Sequence, residues 1–124
     1  MKLKDWLDKN YTKEEQMNLI ELDCSDNKLT SLKGIEELTN LEWLDCSNNK
    51  LTSLEGIENL DKLVEIYCYD NKLTSLKGIE NLDKLEFLDC RDNPLPYSDL
   101  FNLDKIKLDI KKEIRQYKIQ KMLL

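Results

Sequence analysis

The feature that most constrains this chain is an internal repeat with a period of 22 residues. Three units align without a gap, at residues 19–40, 41–62 and 63–84, and a fourth begins at Leu85 and breaks after Pro94. Each complete unit follows the pattern L-x-x-[LI]-x-C-x-x-N-K-L-T-S-L-x-G-I-E-x-L-x-x. A repeat of this regularity predicts stacked structural units that share one continuous core, because no unit can bury its apolar side alone.

The first half of each unit has the pattern of a short strand. Leu44 and Cys46 lie two residues apart and therefore face one side of the strand, while Asp45 faces the other. The leucines and isoleucines later in each unit are predicted to point back inward and complete one rung of the core. The side chains that face inward are uniform from unit to unit, whereas those that face outward vary.

Two further positions recur where the backbone must change direction. An asparagine follows each strand, where its amide can satisfy backbone groups freed by the turn and can pair with the next rung. A glycine lies midway along each return, where we expect a positive φ or a close backbone approach. The asparagines are Asn27, Asn49, Asn71 and Asn93, and the glycines are Gly34, Gly56 and Gly78.

These repeats resemble leucine-rich repeats, most closely the 22-residue class found in bacterial internalins and in the regulatory subunit of protein phosphatase 1. The resemblance covers roughly residues 19–95. It implies an α/β, right-handed solenoid with a parallel strand ladder on the concave face and short 3₁₀ or extended returns on the convex face. The sequence departs from the family where an aliphatic residue is usual, because cysteine occupies that position in Cys24, Cys46, Cys68 and Cys90.

The ends of a solenoid need caps that cover the apolar cross-section. Residues 1–18 fall outside the repeat, and Leu3, Trp6 and Leu7 have helical spacing. Thr12 opens a predicted capping box for a second helical turn. We therefore predict an N-terminal helical cap, with Trp6 and Met17 against the first rung, within a single domain over residues 1–124.

The C-terminal region, residues 96–124, is predicted to be a cap that ends in a basic helix. Pro94 and Pro96 end the regular return, since each proline removes a backbone donor. The helical stripe consists of Ile106, Ile110, Ile114 and Tyr117. Ile106, Leu108 and Ile110 also alternate as in a strand, so a partial fifth rung stays open. The spacing favours a helix from about Asp104.

The charge distribution is uneven along the chain. The net charge is −6, but residues 104–124 carry +4 and the rest carries −10. An acidic body opposes binding to nucleic acid and to an anionic membrane, and it favours a protein partner with a basic patch. The first residues do not resemble a signal peptide, which predicts a cytoplasmic location in its own cell or in a host cell.

The sequence contains no pattern that predicts catalysis. It has no histidine, and no phosphate-binding loop or nucleophile motif is present, so we expect no enzyme activity and no cofactor. One cysteine per rung places the thiols in a line at strand spacing, which does not give the tetrahedral convergence of a zinc site. Core packing is therefore favoured over metal or disulfides. The C-x-D motif of Cys24 and of Cys90 resembles that of bacterial leucine-rich-repeat ubiquitin ligases, whose separate catalytic domain is missing.

The outward strand positions, which are the third, fifth and seventh of each unit, form the candidate binding surface. They are rich in aromatic and acidic residues, and aromatic residues are enriched where binding energy concentrates. The aromatics could instead pack against one another across the strands. The candidate partner-binding residues are Trp43, Asp45, Glu65, Tyr67, Tyr69, Phe87, Asp89 and Arg91.

The sequence thus predicts a protein-binding module or adaptor. The alternative function is a self-assembling structural element that associates through its caps or its basic C-terminal helix. Of the two oligomeric states, the sequence favours the monomer.

Overall fold

The computed structural model describes residues 1–123, and within them four short parallel strands form one sheet in chain order. The strands are β1 Glu21–Asp23, β2 Trp43–Asp45, β3 Glu65–Tyr67 and β4 Phe87–Asp89. Every residue of β1, β2 and β3 pairs with the residue 22 positions later, as Leu22 does with Leu44 and Leu44 with Ile66. One repeat therefore forms one rung, and the predicted parallel strand ladder is confirmed.

The buried side chains form one continuous core along the ladder. Leu22, Leu44 and Ile66 point inward from the strands and are fully buried. The inward leucines and isoleucines of the return segments pack against them, and the cysteine of each rung is buried as predicted. The buried cysteines are Cys24, Cys46, Cys68 and Cys90.

Three of the four asparagines, Asn49, Asn71 and Asn93, connect the turn of their own rung with the neighbouring rung, as predicted, whereas the side chain of Asn27 binds within its own turn. The Oδ1 atom of Asn71 accepts a hydrogen bond from the Leu51 N–H at 3.0 Å, and its Nδ2 donates to the carbonyls of Cys46 and Cys68, each at 3.1 Å. The residue before each asparagine has a positive φ, which only glycine, asparagine and aspartate adopt readily. These residues are Asp26, Asn48, Asp70 and Asp92.

The return segments contain a carboxylate that caps the glycine turn. The predicted positive φ is present at Gly34, Gly56 and Gly78. The Gly56 N–H donates to the Oε2 atom of Glu58 at 2.7 Å, and the same contact recurs one rung away on each side. This function of the glutamate in the G-I-E motif was not predicted. Short 3₁₀ helices follow the glycine at Ile35–Glu37 and Ile79–Asn81.

The N-terminal cap consists of α1 Leu3–Asn10 and α2 Lys13–Met17. Leu3 and Leu7 of α1 are buried against the first rung, and the predicted capping box is present at the start of α2. The prediction for Met17 is wrong, because its side chain is 65% exposed. Gln16 turns inward instead and donates to the Asp8 carboxylate at 3.0 Å, since the capping box fixes which face of this short helix meets the body.

The C-terminal cap is a single long helix, α3 Leu103–Leu123, so the alternative of a fifth strand is wrong. Ile106 and Ile110 are buried beyond the last rung while Leu108 between them is 52% exposed, whereas a strand would place all three on one side. The Lys107 Nζ donates to the Leu82 carbonyl at 2.8 Å and fixes α3 to the last complete unit. In residues 1–123 no helix is both long enough and apolar enough to span a membrane.

Candidate functional site

The outward side chains of the four strands lie on one surface, which we call the ladder face. Its first row is Glu21, Trp43, Glu65 and Phe87, and its second is Asp23, Asp45, Tyr67 and Asp89. The seventh positions of the units supply the third row, Ser25, Ser47, Tyr69 and Arg91. The sheet therefore places six of the eight candidate binding residues on one side of the molecule, all except Tyr69 and Arg91, which follow β3 and β4. Arg91 joins this side through its contact with Asp89.

Three of the four aromatic residues form a continuous group, which we call the aromatic strip. The Trp43 and Tyr67 ring centroids lie 5.6 Å apart, and those of Tyr67 and Phe87 lie 5.3 Å apart, both with tilted planes. Trp43 and Tyr67 are half-buried and Phe87 is 45% exposed. Tyr69 is half-buried and makes neither of these ring contacts. The rings therefore pack across the strands and still present apolar surface to solvent.

The aspartates of the second row have a local structural function that the sequence analysis did not assign. The Asp45 Oδ1 accepts the N–H of Ser47 at 3.0 Å, and Asp23 accepts that of Ser25 at the same distance. Ser47, which was predicted to face outward, is fully buried, and its hydroxyl also donates to Asp45. Each D-C-S sequence thus closes its own turn, and the carboxylates keep their remaining acceptor capacity toward solvent.

The last rung carries an ion pair within the ladder face. The Arg91 guanidinium donates to both oxygens of Asp89, with Nε to Oδ1 at 2.9 Å and Nη2 to Oδ2 at 2.8 Å. These hydrogen bonds lower the pKa of Asp89 from its ordinary value. Arg91 therefore binds a carboxylate of its own chain and adds little positive charge to the ladder face.

Glu65 and Tyr67 form a second polar contact beside the aromatic strip. The Tyr67 hydroxyl donates to Glu65 Oε2 at 3.3 Å. Partial burial raises the pKa of Tyr67, and the charge of Glu65 adds to the effect. The tyrosine therefore keeps its proton at neutral pH and remains a donor. The ladder face as a whole carries five carboxylates against one guanidinium.

One feature of this region was missed by the sequence analysis. A cavity of about 230 Å³ lies beside β4, where the last rung meets the segment that leads into α3. Leu88, Leu100 and Ile106 line it, and Phe101 at its rim is 83% exposed. Phe101 was not predicted because it lies outside the repeat, where no periodic pattern assigns a direction to its side chain.

The cysteines are placed for packing and have little reactivity. Burial raises the pKa of Cys24 to about 12 and that of Cys90 to about 11, and it raises the pKa of Cys46 and Cys68 well above the ordinary value. Within residues 1–123 no group of three or more potential ligand side chains is arranged to hold a metal ion. Because the thiolate is the reactive form, these thiols should be inert at neutral pH.

We expect the native protein to react with a thiol reagent far more slowly than the denatured chain, in which all four cysteines should react. The reaction of a chromogenic disulfide reagent, followed with and without denaturant, measures this difference. Cys90 should react first among the four, because it lies in the last rung and its pKa is raised less than that of Cys24. Fast labelling of Cys46 or Cys68 in the native state would contradict the core assignment.

Comparison with known protein families agrees with this geometry. The family model described as leucine-rich repeats in two copies matches residues 18–59 and residues 39–76. The fold is an α/β leucine-rich-repeat solenoid, and residues 18–76 consist of leucine-rich repeats. Such domains are generally non-enzymatic protein-interaction modules. A comparison with curated proteins gave no match.

Among solved structures, the chain is similar to three internalins of Listeria monocytogenes. Internalin InlF is 29% identical over 77% of this chain, with a TM-score of 0.66. The functional domain of InlJ, which includes a cysteine ladder, is 37% identical over 70% of this chain, with a TM-score of 0.64. Internalin C2 is 28% identical over 60% of this chain, with a TM-score of 0.58. The matches cover 30%, 19% and 33% of those structures respectively, so this chain spans a third of their length or less.

Proposed function

We propose that this chain is a protein-binding module whose ladder face binds a basic segment of a partner protein. The observation that carries the proposal is the aromatic strip of Trp43, Tyr67 and Phe87, flanked by carboxylates on the same surface. Aromatic side chains contribute most to binding energy when a partner removes their remaining surface from water. The surrounding carboxylates select a partner with positive charge and raise the association rate.

The position of Tyr67 makes it the central residue of the proposed site. It contacts the rings of Trp43 and Phe87 and donates to Glu65. Residues at the centre of an interface contribute more than those at its rim, because surrounding contacts exclude water from them. Arg91 and Asp89 lie at the edge and bind each other, so they should influence the salt dependence of binding more than its strength.

Replacing Tyr67 by alanine should weaken binding about 30-fold, which corresponds to roughly 2 kcal/mol. The probe is a set of random-sequence peptides selected for binding to the full-length wild-type chain, and calorimetric titration measures the affinity. We expect the selected peptides to be rich in lysine and arginine. Trp43→Ala should show a similar loss, whereas Met17→Ala, which removes an exposed apolar side chain outside the ladder face, should bind as the wild type does.

The stability of these variants must be measured alongside binding. Removing Tyr67 also removes two ring contacts, each worth about 0.5–1.5 kcal/mol, so its melting temperature should fall without loss of the folded state at 25 °C. Titrations are therefore run where circular dichroism shows each variant to be folded. Equal affinity of the wild type and both folded variants would place the binding site elsewhere.

The proposal includes the setting in which the module works. We infer a cytoplasmic location, in the cell that makes the protein or in a host cell, because four thiols buried side by side suit a reducing compartment. Five carboxylates on the ladder face oppose a nucleic-acid backbone or an anionic lipid surface at this site. The proposal assigns no catalytic function and no cofactor to the chain.

A further inference from the structure

The second half of α3 extends beyond the body of the protein. Ile106 and Ile110 are buried and Ile114 is half-buried, but every residue from 115 to 123 is exposed. Tyr117 continues the apolar stripe and is nevertheless 61% exposed, because no rung of the ladder lies opposite it. We call residues 111–123 the free half of α3.

The free half of α3 carries a concentrated positive charge. Its net charge is +4, from five basic residues and Glu113. No salt bridge formed within residues 1–123 involves any of the five basic residues, which are Lys111, Lys112, Arg115, Lys118 and Lys121. Large apolar side chains are exposed on the same segment, including Met122 at 85% and Ile119 at 41%.

The ladder face has the complementary properties. Its five carboxylates and single guanidinium give a net charge of −4, and the aromatic strip offers an apolar surface between the charges. At a rise of 1.5 Å per residue the free half of α3 is about 20 Å long. Four strands at a spacing of about 4.8 Å make a face roughly 14 Å across, so the helix can cross all four rungs.

We propose that the free half of α3 binds the ladder face of a second copy of this chain. The proposal rests on the proposed function, because it names the partner that occupies the same protein-binding face. The two surfaces are different parts of the molecule, so the contact is head-to-tail and each copy offers one helix and one face. This proposal modifies the expectation of a monomer. One short helical segment on a four-stranded sheet makes a small interface, and small interfaces form weak, concentration-dependent associations.

The arrangement of residues on the helix favours this partner over a membrane surface. Lys111, Arg115 and Ile119 follow one another at intervals of four and so share one side of the helix. A helix that lies on a membrane separates its basic residues from its apolar residues on opposite faces. The mixture of cations and apolar side chains matches a ladder face on which carboxylates and aromatic rings are also mixed.

Sedimentation velocity of the full chain over the micromolar to millimolar range tests the proposal. The average mass should rise with concentration at low salt and return to the monomer value near 1 M salt, where the Debye length is only about 3 Å. The helix variant Lys111→Glu/Arg115→Glu/Lys118→Glu should associate at least about tenfold more weakly. A wild type that stays monomeric at every concentration in low salt would overturn the proposal.

The matched control is Lys28→Glu/Lys50→Glu/Lys72→Glu, which makes the same change in net charge on exposed residues of the body. This control should associate more strongly than the helix variant. An equal loss of association in both would show that net charge alone governs the effect, and the proposal would fail. Circular dichroism confirms that each variant is folded, since lysine and glutamate have similar helix propensities.

A charge exchange identifies the two surfaces directly. The face variant Glu21→Lys/Glu65→Lys should be monomeric alone, because the two substitutions bring the net charge of its face from −4 to zero and so remove the attraction for the positive helix. Mixed with the helix variant, it should associate again, since each then offers a surface that the other lacks. No association in the mixture would overturn the pairing. Peptide binding that depends on Tyr67 in a chain that never self-associates would leave the proposed function intact and reject this inference alone.

Discussion

Replacing Asn49 by alanine should lower the free energy of unfolding by roughly 3–5 kcal/mol, because several buried backbone groups lose their only partner. The Oδ1 atom of Asn49 accepts the N–H of Asn27 and that of Leu29, both at 3.0 Å. Its Nδ2 donates to the carbonyls of Cys24, Cys46 and Ser47 at 2.9 to 3.1 Å. Alanine removes all of these contacts, and water cannot replace them in a side-chain position that is 8% exposed.

Asn27 provides a matched control in the same ladder. Its side chain donates one hydrogen bond, to the Ser25 carbonyl, and it is half-exposed because no rung precedes it. Asn27→Ala should therefore cost about 1 kcal/mol or less. Chemical denaturation of both variants measures the difference. Equal costs at the two positions would show that the asparagines stabilise their own turns alone and do not connect the rungs.

Replacing Gly56 by alanine should also be strongly destabilising, by roughly 2–4 kcal/mol. Gly56 has a φ of +112°, which L-amino acids rarely adopt. A Cβ atom there would lie 3.0 Å from Cγ2 of the fully buried Ile35, which has little room to move. The substitution therefore combines backbone strain with crowding between adjacent rungs.

Gly34 separates these two contributions. Its φ of +105° is similar, but the nearest atom to an added Cβ is the Cβ of Lys4 at 3.5 Å, an ordinary contact. Gly34→Ala should carry the strain alone and cost about 1–2 kcal/mol. Thermal denaturation of both variants shows which substitution lowers stability more. A greater loss of stability for Gly34→Ala than for Gly56→Ala would contradict the assignment of crowding to Gly56 in the second rung.

The sequence predicted the parts of the fold that repeat. A strict period of 22 assigns Leu44, Cys46 and Asn49 to their positions in the rung, because the same residue type recurs wherever the environment recurs. The eight residues expected on the ladder face could be assigned in the same way, from alternation alone. The exposed fraction of these side chains could not be predicted, since it depends on neighbours in other rungs.

The parts that the sequence did not predict depend on contacts outside the repeat or on local hydrogen bonds. Ile106, Leu108 and Ile110 alternate as in a strand, and Ile106, Ile110 and Ile114 also have helical spacing. The exposure of Leu108 between two buried isoleucines, which depends on the contact with the last rung, decides for the helix. Met17 was predicted to be a core residue because its side chain is apolar, but the capping box turns Gln16 inward instead.

The register of the ladder has a consequence for how such a chain can change over evolutionary time. The strands of residues 41–62 and 63–84 pair with their neighbours at the same offset of 22 residues, so a duplicated unit would meet junctions that already exist. A tandem duplication of residues 41–62 would add one strand, one asparagine that connects two rungs, and three outward positions. Within the ladder, the length of the recognition surface can therefore grow in whole steps, while each added triplet of outward residues is free to diverge toward a new partner.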